Sequence, residues 1–205
     1  MNILITSPET DIFTRYIRVW AKRLIKELRS KNHNIFHLDK GKADRKKTAG
    51  LLAKKDIQLV LFNGHGNDCE LRGQNEVILD VQNIDILSGK IVHAMSCSTA
   101  KELGPIAVKS GAKAYVGYDA PFLAPTFNEK NNSPLEDDTA ALFLNPAFSA
   151  QRALANGKTP NEAITLAKNE YNRSIVKALK SDIQSDNDQF VGLLLYDRNH
   201  LVARE

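Results

Sequence analysis

Two side chains in this sequence have the chemistry of a nucleophile and its base, and each stands where an apolar run gives way to small residues. Cys97 follows Ile91-Val-His-Ala-Met95 and lies within Ser-Cys-Ser-Thr-Ala. His65 follows Ile57-Gln-Leu-Val-Leu-Phe62 and lies between two glycines in Asn63-Gly-His-Gly-Asn67. A thiol becomes a strong nucleophile once deprotonated, and an adjacent imidazole is a common acceptor of its proton. If the two apolar runs are neighbouring strands, about 4.8 Å apart, the turns after them bring imidazole and thiol together. Gly66 leaves the backbone unshielded beside the histidine, so the N–H groups of Gly66 and Cys97 are natural donors to an oxyanion. A tight turn that happens to contain histidine is the alternative reading of the Gly-His-Gly segment.

The elements that must position these groups are legible as periodicity and punctuation. Ile57–Phe62 is nearly all apolar, as expected of a central parallel strand covered on both faces. Thr99 and Glu102 have the spacing of a capping box, which predicts a helix starting two residues past the sulfur and favouring a thiolate there. Gly111 should end that helix, with the next strand over Ala114–Gly117. Upstream, Asn2–Thr6 and Asn34–Leu38 read as strands, and Ser7-Pro8 reads as an N-cap followed by the first helical residue. Ile12, Tyr16, Trp20, Leu24 and Leu28 recur every four residues and give a long helix one apolar face. A second helix is expected through Leu51, Leu52 and Ala53, a small hairpin within Cys69–Leu79, and a short helix through Ile84 and Leu87. Downstream, residues 120–132 form a Pro- and Asn-rich loop of the length used for lids and substrate walls. Ser133-Pro134-Leu135-Glu136 predicts a helix over 134–144, and Thr159-Pro160-Asn161-Glu162 predicts another with Ile164, Ala167, Tyr171, Ile175 and Leu179 on its core face. Leu201–Ala203 would close the sheet. Strands alternating with helices predict an α/β fold with an open, mostly parallel sheet and helices on both faces.

The chain as a whole narrows the function classes. At 205 residues, 42% hydrophobic and 25% charged, residues 1–205 read as a single domain. No apolar run approaches a membrane span, and the N-terminus has no signal-peptide pattern, so the expectation is a cytoplasmic protein without a membrane partner. Two cysteines, Cys69 and Cys97, are too few for a disulfide framework. Neither a Gly-x-Gly-x-x-Gly fingerprint nor a P-loop occurs, and no cofactor is expected. Residues 1–60 hold 14 Lys and Arg against 6 Asp and Glu, yet no aromatic interleaves the basic run Lys40–Lys55. That run therefore reads as a solvated helix face and argues against a nucleic-acid partner. His65-x-x-x-Cys69 and His93-x-x-x-Cys97 also offer four zinc ligands, but His93 falls inside a predicted strand and Cys69 at the start of a predicted hairpin.

The order apolar strand, His-Gly, apolar strand, Ser-Cys, helix, then Gly111-Ala-x-Ala-Tyr-Val-Gly117 resembles the caspase-like (clan CD) cysteine peptidases. The Cys-Ser-Thr-Ala turn and the Gly111-to-Gly117 segment look most like the CHAT-domain and clostripain-like branches. The resemblance is anchored on Ile57–Asp119. It implies a cysteine endopeptidase with His65 as base, Cys97 as nucleophile and Gly66 with Cys97 as the oxyanion hole, acting on a protein or peptide substrate. It also implies regulation by a loop, an ion or a partner domain. The caspase pentapeptide is replaced by Met-Ser-Cys-Ser-Thr, so specificity for aspartate is not implied. Asp119 follows the strand after the cysteine, a place from which these folds reach toward the substrate, and several branches use an aspartate to hold Arg or Lys at P1, which makes Asp119 the candidate for binding a basic P1 residue; capping the turn before Pro121 is its alternative role. A catalytically silent module that keeps the fold for binding or regulation is the alternative for the chain as a whole.

Overall fold

A computed structural model describes residues 1–125, 132–180 and 187–205. The chain opens with strand β1 (Asn2–Ser7), helix α1 (Ile12–Ser30), strand β2 (Asn34–Asp39), helix α2 (Arg45–Lys54) and strand β3 (Leu59–Asn63). A small antiparallel hairpin, β4 (Glu70–Arg72) and β5 (Val77–Asp80), and a 3-10 turn at Ile84–Leu87 lead to β6 (Ile91–Met95), α3 (Leu103–Lys109) and β7 (Ala114–Tyr118). Three helices follow, α4 (Asp138–Ala155), α5 (Pro160–Lys180) and α6 (Asn187–His200), and β8 (Leu201–Arg204) ends the chain.

The main sheet runs β2-β1-β3-β6-β7-β8, parallel throughout except for β8, which returns antiparallel to β7. This is the α/β sheet expected from the alternation of strands and helices. Successive strand residues point to opposite faces. Ile3, Ile5, Leu59, Leu61, Met95, Val116 and Tyr118 meet α1, α4, α5 and α6. Leu4, Val60, Phe62, Val92, Ala94 and Tyr115 meet α2, α3 and the hairpin. Both faces are covered, which is why the central strands are apolar at nearly every position. Among the described residues, no helix is long and apolar enough to cross a membrane.

Two helix starts away from the Cys97 turn differ from the sequence reading. Helix α1 is capped by Asp11, not Ser7: the Asp11 carboxylate accepts the Thr14 N–H at 2.7 Å, and the Thr14 hydroxyl accepts the Asp11 N–H at 3.0 Å. Ser7 is spent as the last residue of β1, paired with Asp39. Downstream, Pro134–Glu136 makes one 3-10 turn, and α4 begins at Asp138 and continues through Pro146 to Ala155. Its cap is Asp137, whose Oδ1 accepts the Ala140 N–H while Oδ2 accepts the Tyr16 hydroxyl of α1 at 2.9 Å. One carboxylate thus starts a helix and locks it to another. The Thr159–Glu162 capping box forms as predicted. Ala167 and Tyr171 of α5 are buried, whereas Leu179, expected on the same face, is 60% exposed because Ala178 takes the core-facing position in the last turn.

Asp137→Ala removes both the cap and the partner of Tyr16, and should lower the unfolding free energy by about 2–3 kcal/mol. Tyr16→Phe, which leaves the cap in place, should cost about 1 kcal/mol. Urea titration of the two variants and their double mutant checks this, and the double mutant should be less destabilised than the sum of the singles.

Candidate active site

Parallel pairing of β3 with β6 runs from Leu59 opposite Ile91 to Asn63 opposite Met95. His65 and Cys97 therefore stand equally far beyond the last paired residues, on adjacent strands. Gly64 extends the contact by donating its N–H to the Met95 carbonyl at 3.2 Å. Gly66 then rests on the residues that flank the thiol: a Cβ there would lie 2.6 Å from Thr99 Cγ2 and 3.1 Å from Ser96 Cβ. On its other side Gly66 bridges to Leu71 of the hairpin, with Arg72 N–H on the His65 carbonyl and Asn67 N–H on the Glu70 carbonyl. In that pattern the Gly66 N–H points away from the hairpin. Among the described residues, no backbone carbonyl of another residue takes the N–H of Gly66 or of Cys97.

The chain leaves β1 toward β2 on one side and returns as β3 on the other, so β1 and β3 flank the point where the strand order reverses. Open α/β sheets form their ligand crevice outside the carboxyl ends of such strands. Asp11 follows β1 and His65 follows β3, and they meet there, Asp11 Oδ2 lying 2.6 Å from His65 Nε2. With Nε2 donating to a carboxylate, Nδ1 is left with the lone pair of the neutral ring. Burial alone would raise Asp11, but the Thr14 N–H and hydroxyl and the His65 ring hold its carboxyl below the usual range. The His65 side chain keeps 40% of its surface open to solvent, so the crevice admits a ligand to the ring.

Cys97 is half-buried and packs toward the layer of α1, α4 and α5. Directly after it, Ser98 takes a left-handed φ of 58°, a conformation that costs an L-residue about 1–2 kcal/mol. Pairing with the chain beyond β7 holds it there: Ser98 N–H reaches the Ala120 carbonyl and Ala100 N–H the Tyr118 carbonyl, both at 2.9 Å. The expected helix start at Thr99 does not form. Helix α3 begins at Leu103, because Ser98 and Ala100 spend their N–H groups on β7 and its extension, and Glu102 takes the Cys69 thiol at 3.5 Å instead of capping. The expected helix N-terminus two residues past the sulfur is therefore absent. Burial pushes the Cys97 thiol above its ordinary pKa, the Asp197 carboxyl adds to the rise, and the Phe122 N–H opposes it. The thiol rests protonated at neutral pH.

Asp119 lies at the end of β7 but is already engaged, with Oδ1 2.8 Å from His200 Nδ1 and Oδ2 3.4 Å from Arg204. Its backbone N–H also pairs with the His200 carbonyl. The four residues of the two His-x3-Cys pairs do not converge. His65 is bound to Asp11, Cys69 to Glu102, and His93 lies wholly buried beside Gln151, 3.4 Å from its Nε2. Burial drives the His93 ring down to about 3, so it stays neutral, part of a buried polar group in which Gln151 also donates to Asn63 at 2.6 Å. Two carboxyl groups escaped the sequence reading. Asp11 had a visible signal, the Asp-x-x-Thr spacing, overshadowed by Ser7-Pro8. Asp197 had a fainter one, an acid three residues after Leu194 and therefore on the same buried helix face. Asp197 is 0% exposed, its Oδ1 accepts the Leu123 N–H at 2.8 Å, and burial raises its pKa to about 8.

No protein-family model and no curated protein matches the sequence. Among solved structures, the chain is similar to the Arg-specific cysteine proteinase gingipain R (RgpB), with 11% identity and a TM-score of 0.57 over 98% of this chain and 45% of that one. It is equally similar to the complex of the Porphyromonas gingivalis RgpB pro- and mature domains, at 12% identity and a TM-score of 0.57, covering 99% of this chain and 46% of that one. The fold is caspase-like. At these identities the likeness concerns the fold, and the chain spans less than half the length of either neighbour. Within the caspase-like sheet, the His65 and Cys97 turns sit at the carboxyl ends of adjacent central strands.

Two measurements follow from this geometry. Gly66→Ala should cost about 1–3 kcal/mol by forcing apart the two turns, and adding Thr99→Ser, which removes the methyl nearest the new Cβ, should restore part of the loss in a urea titration. For Asp197, the folded chain keeps a proton that the unfolded chain releases near pH 4, so this residue makes stability fall as pH rises from about 4 toward about 8. Asp197→Asn removes that dependence. Its unfolding midpoint should gain on wild type between about pH 5 and about pH 8, and a constant difference across that range would contradict the assignment.

Proposed function

We propose that this chain is a cysteine peptidase in which His65 and Cys97 form the catalytic dyad. The observation that carries the reading is the shared register: the two turns project side by side from β3 and β6, with Gly66 seated against Ser96 and Thr99. Asp11 is a positioning residue, fixed by its cap on α1 and holding His65 through Nε2. The likeness to caspase-like proteinases supports the reaction class, and the Ser-Cys-Ser-Thr-Ala turn supports a place beside the CHAT-domain and clostripain-like branches.

Because the thiol rests protonated, the chemistry begins with general-base catalysis. His65 Nδ1 takes the proton as Cys97 Sγ bonds to the scissile carbonyl carbon, and the carbonyl π pair moves onto oxygen. The N–H groups of Gly66 and Cys97 stabilise that oxyanion; a donor of this kind is typically worth about 3–4 kcal/mol. Collapse of the tetrahedral intermediate breaks the C–N bond, and the amine leaves with the proton from His65. Water, deprotonated by the same ring, then hydrolyses the thioester, releasing the carboxylate product and the free thiol. The imidazolium that forms between these steps faces the Asp11 carboxylate, which stays ionised across the neutral range.

A basic residue is the P1 preference we assign, supported by the neighbour's specificity for arginine and by acidic side chains around the end of β7. For Asp119 to serve, it would have to exchange His200 and Arg204 for the substrate. The specific observation favouring a silent binding module is the covered, protonated thiol. Fluorogenic peptides separate the readings. Cleavage after Arg or Lys should vanish in Cys97→Ala and fall about 100-fold or more in His65→Ala. Asp11→Asn should lower kcat about tenfold with little change in KM, as expected when an oriented base is loosened. Cleavage that survives Cys97→Ala, or an absence of any thiol-dependent cleavage, would sink the peptidase.

A further inference from the structure

The chain beyond β7 folds back across the nucleophile turn. Ala120 accepts the Ser98 N–H at 2.9 Å, the Phe122 N–H reaches the Cys97 thiol, and the Leu123 N–H is held by Asp197 Oδ1 at 2.8 Å. This strap of backbone therefore lies directly against the thiol. The Phe122 side chain is 7% exposed and makes an edge contact with Tyr118 at 5.0 Å between centroids and a tilted contact with Phe13 at 5.8 Å. It fills an aromatic recess next to the thiol.

At the same recess is a carboxyl group with an unfinished hydrogen-bond set. Asp197 is wholly buried, and among the described residues its Oδ2 has no partner. A buried carboxyl oxygen left unpaired is costly and calls for an explanation. The group lies close enough to act on Cys97, Tyr118 and Tyr171 electrostatically. If the strap lifts, Leu123 leaves as well and both oxygens of Asp197 become available. That is the geometry a guanidinium fills with two parallel N–H···O bonds, or an ammonium with one or two. Asp119, bound to His200 and Arg204, has no such vacancy.

We propose that Phe122 is a stopper in the pocket that receives the P1 side chain, and that Asp197, uncovered when the strap 120–125 lifts, is the specificity residue that selects a cationic side chain there. The significance of this arrangement rests on the peptidase reading, but its test does not need peptide cleavage. The full chain with Cys69→Ser leaves a single thiol. It is labelled with three methanethiosulfonates, one neutral (methyl), one cationic (trimethylammonium-ethyl) and one anionic (sulfonatoethyl), each rate being divided by that reagent's rate with 2-mercaptoethanol.

Phe122→Ala should speed neutral labelling of Cys97 about tenfold or more, as expected when a local covering is removed. Leu123→Pro, which deletes the N–H held by Asp197 and keeps every aromatic side chain, should do the same and serves if Phe122→Ala loses the native circular-dichroism spectrum. In either opened variant the cationic reagent should outrun the anionic one about tenfold, and adding Asp197→Asn should bring the ratio near unity while labelling continues. Unchanged labelling in both Phe122→Ala and Leu123→Pro overturns the stopper. A charge preference indifferent to Asp197→Asn overturns the specificity role. Opened variants that label with the predicted charge preference yet cleave no peptide would uphold the pocket and defeat the peptidase.

Discussion

The parallel pairing of β3 with β6, ending at Asn63 opposite Met95, is the constraint on which the rest of the molecule turns. Strand side chains alternate with a period of two, so a slip of one residue would move Leu59, Leu61 and the buried His93 to the wrong face and exchange the two cores. The same register fixes how far each chain has travelled when it reaches the sheet's carboxyl edge. His65 and Cys97 stand at matching distances beyond it, a consequence of core packing as much as of the turns themselves. Gly66 completes the match, because any larger residue would strike Thr99 and the Glu70 carbonyl.

Asp11 shows how one group serves stability and the site together. Its Oδ1 caps α1 through Thr14, and its Oδ2 holds His65. A cap is worth about 0.5–2 kcal/mol, enough to keep the carboxylate in one place without help from the exposed ion pair, which in water contributes little. The helix is thus the rigid body to which His65 is referred. Arg18 reinforces that body from the next turn by joining Glu9 and Asp39, so the segment after β1, the start of α1 and the end of β2 move as one.

Much of this was legible in the sequence, and what was not has physical causes. The strand runs were clear because burial on both faces demands apolar residues at every position, and His65 and Cys97 stood out because polar groups interrupt such runs. Helix starts were less secure. Ser7-Pro8 and Asp11-Thr14 both carry cap chemistry, and the choice between them depends on β1 extending to Ser7 to pair with β2, a tertiary fact. The Thr99–Glu102 spacing failed for a similar reason: the backbone after Cys97 finds carbonyls at the end of β7, and local capping cannot compete with pairing that closes the sheet's edge. Asp197 lay hidden because an acid is ordinarily exposed and its spacing from Leu194 matters only once the stretch is known to be helical; packing of α6 against Tyr118 and Tyr171 turns it inward.

In the proposed mechanism, burial of Cys97 sets the order of events. A thiol at a helix N-terminus, or in contact with a charged imidazolium, can rest as a thiolate. Here the sulfur lies among apolar groups with a carboxyl nearby, and both effects favour the proton. On that reading, the ionised form is worth making only when a substrate carbonyl is at hand to take up the charge and the Gly66 and Cys97 N–H groups are there to receive it. Asp11 complements this from the other side, since a carboxylate held below its usual range is already charged when His65 becomes imidazolium. On the proposed peptidase reading, the site would pair a nucleophile that resists ionisation with a base prepared for it, and charge separation would be stabilised in the transition state more than in the resting molecule.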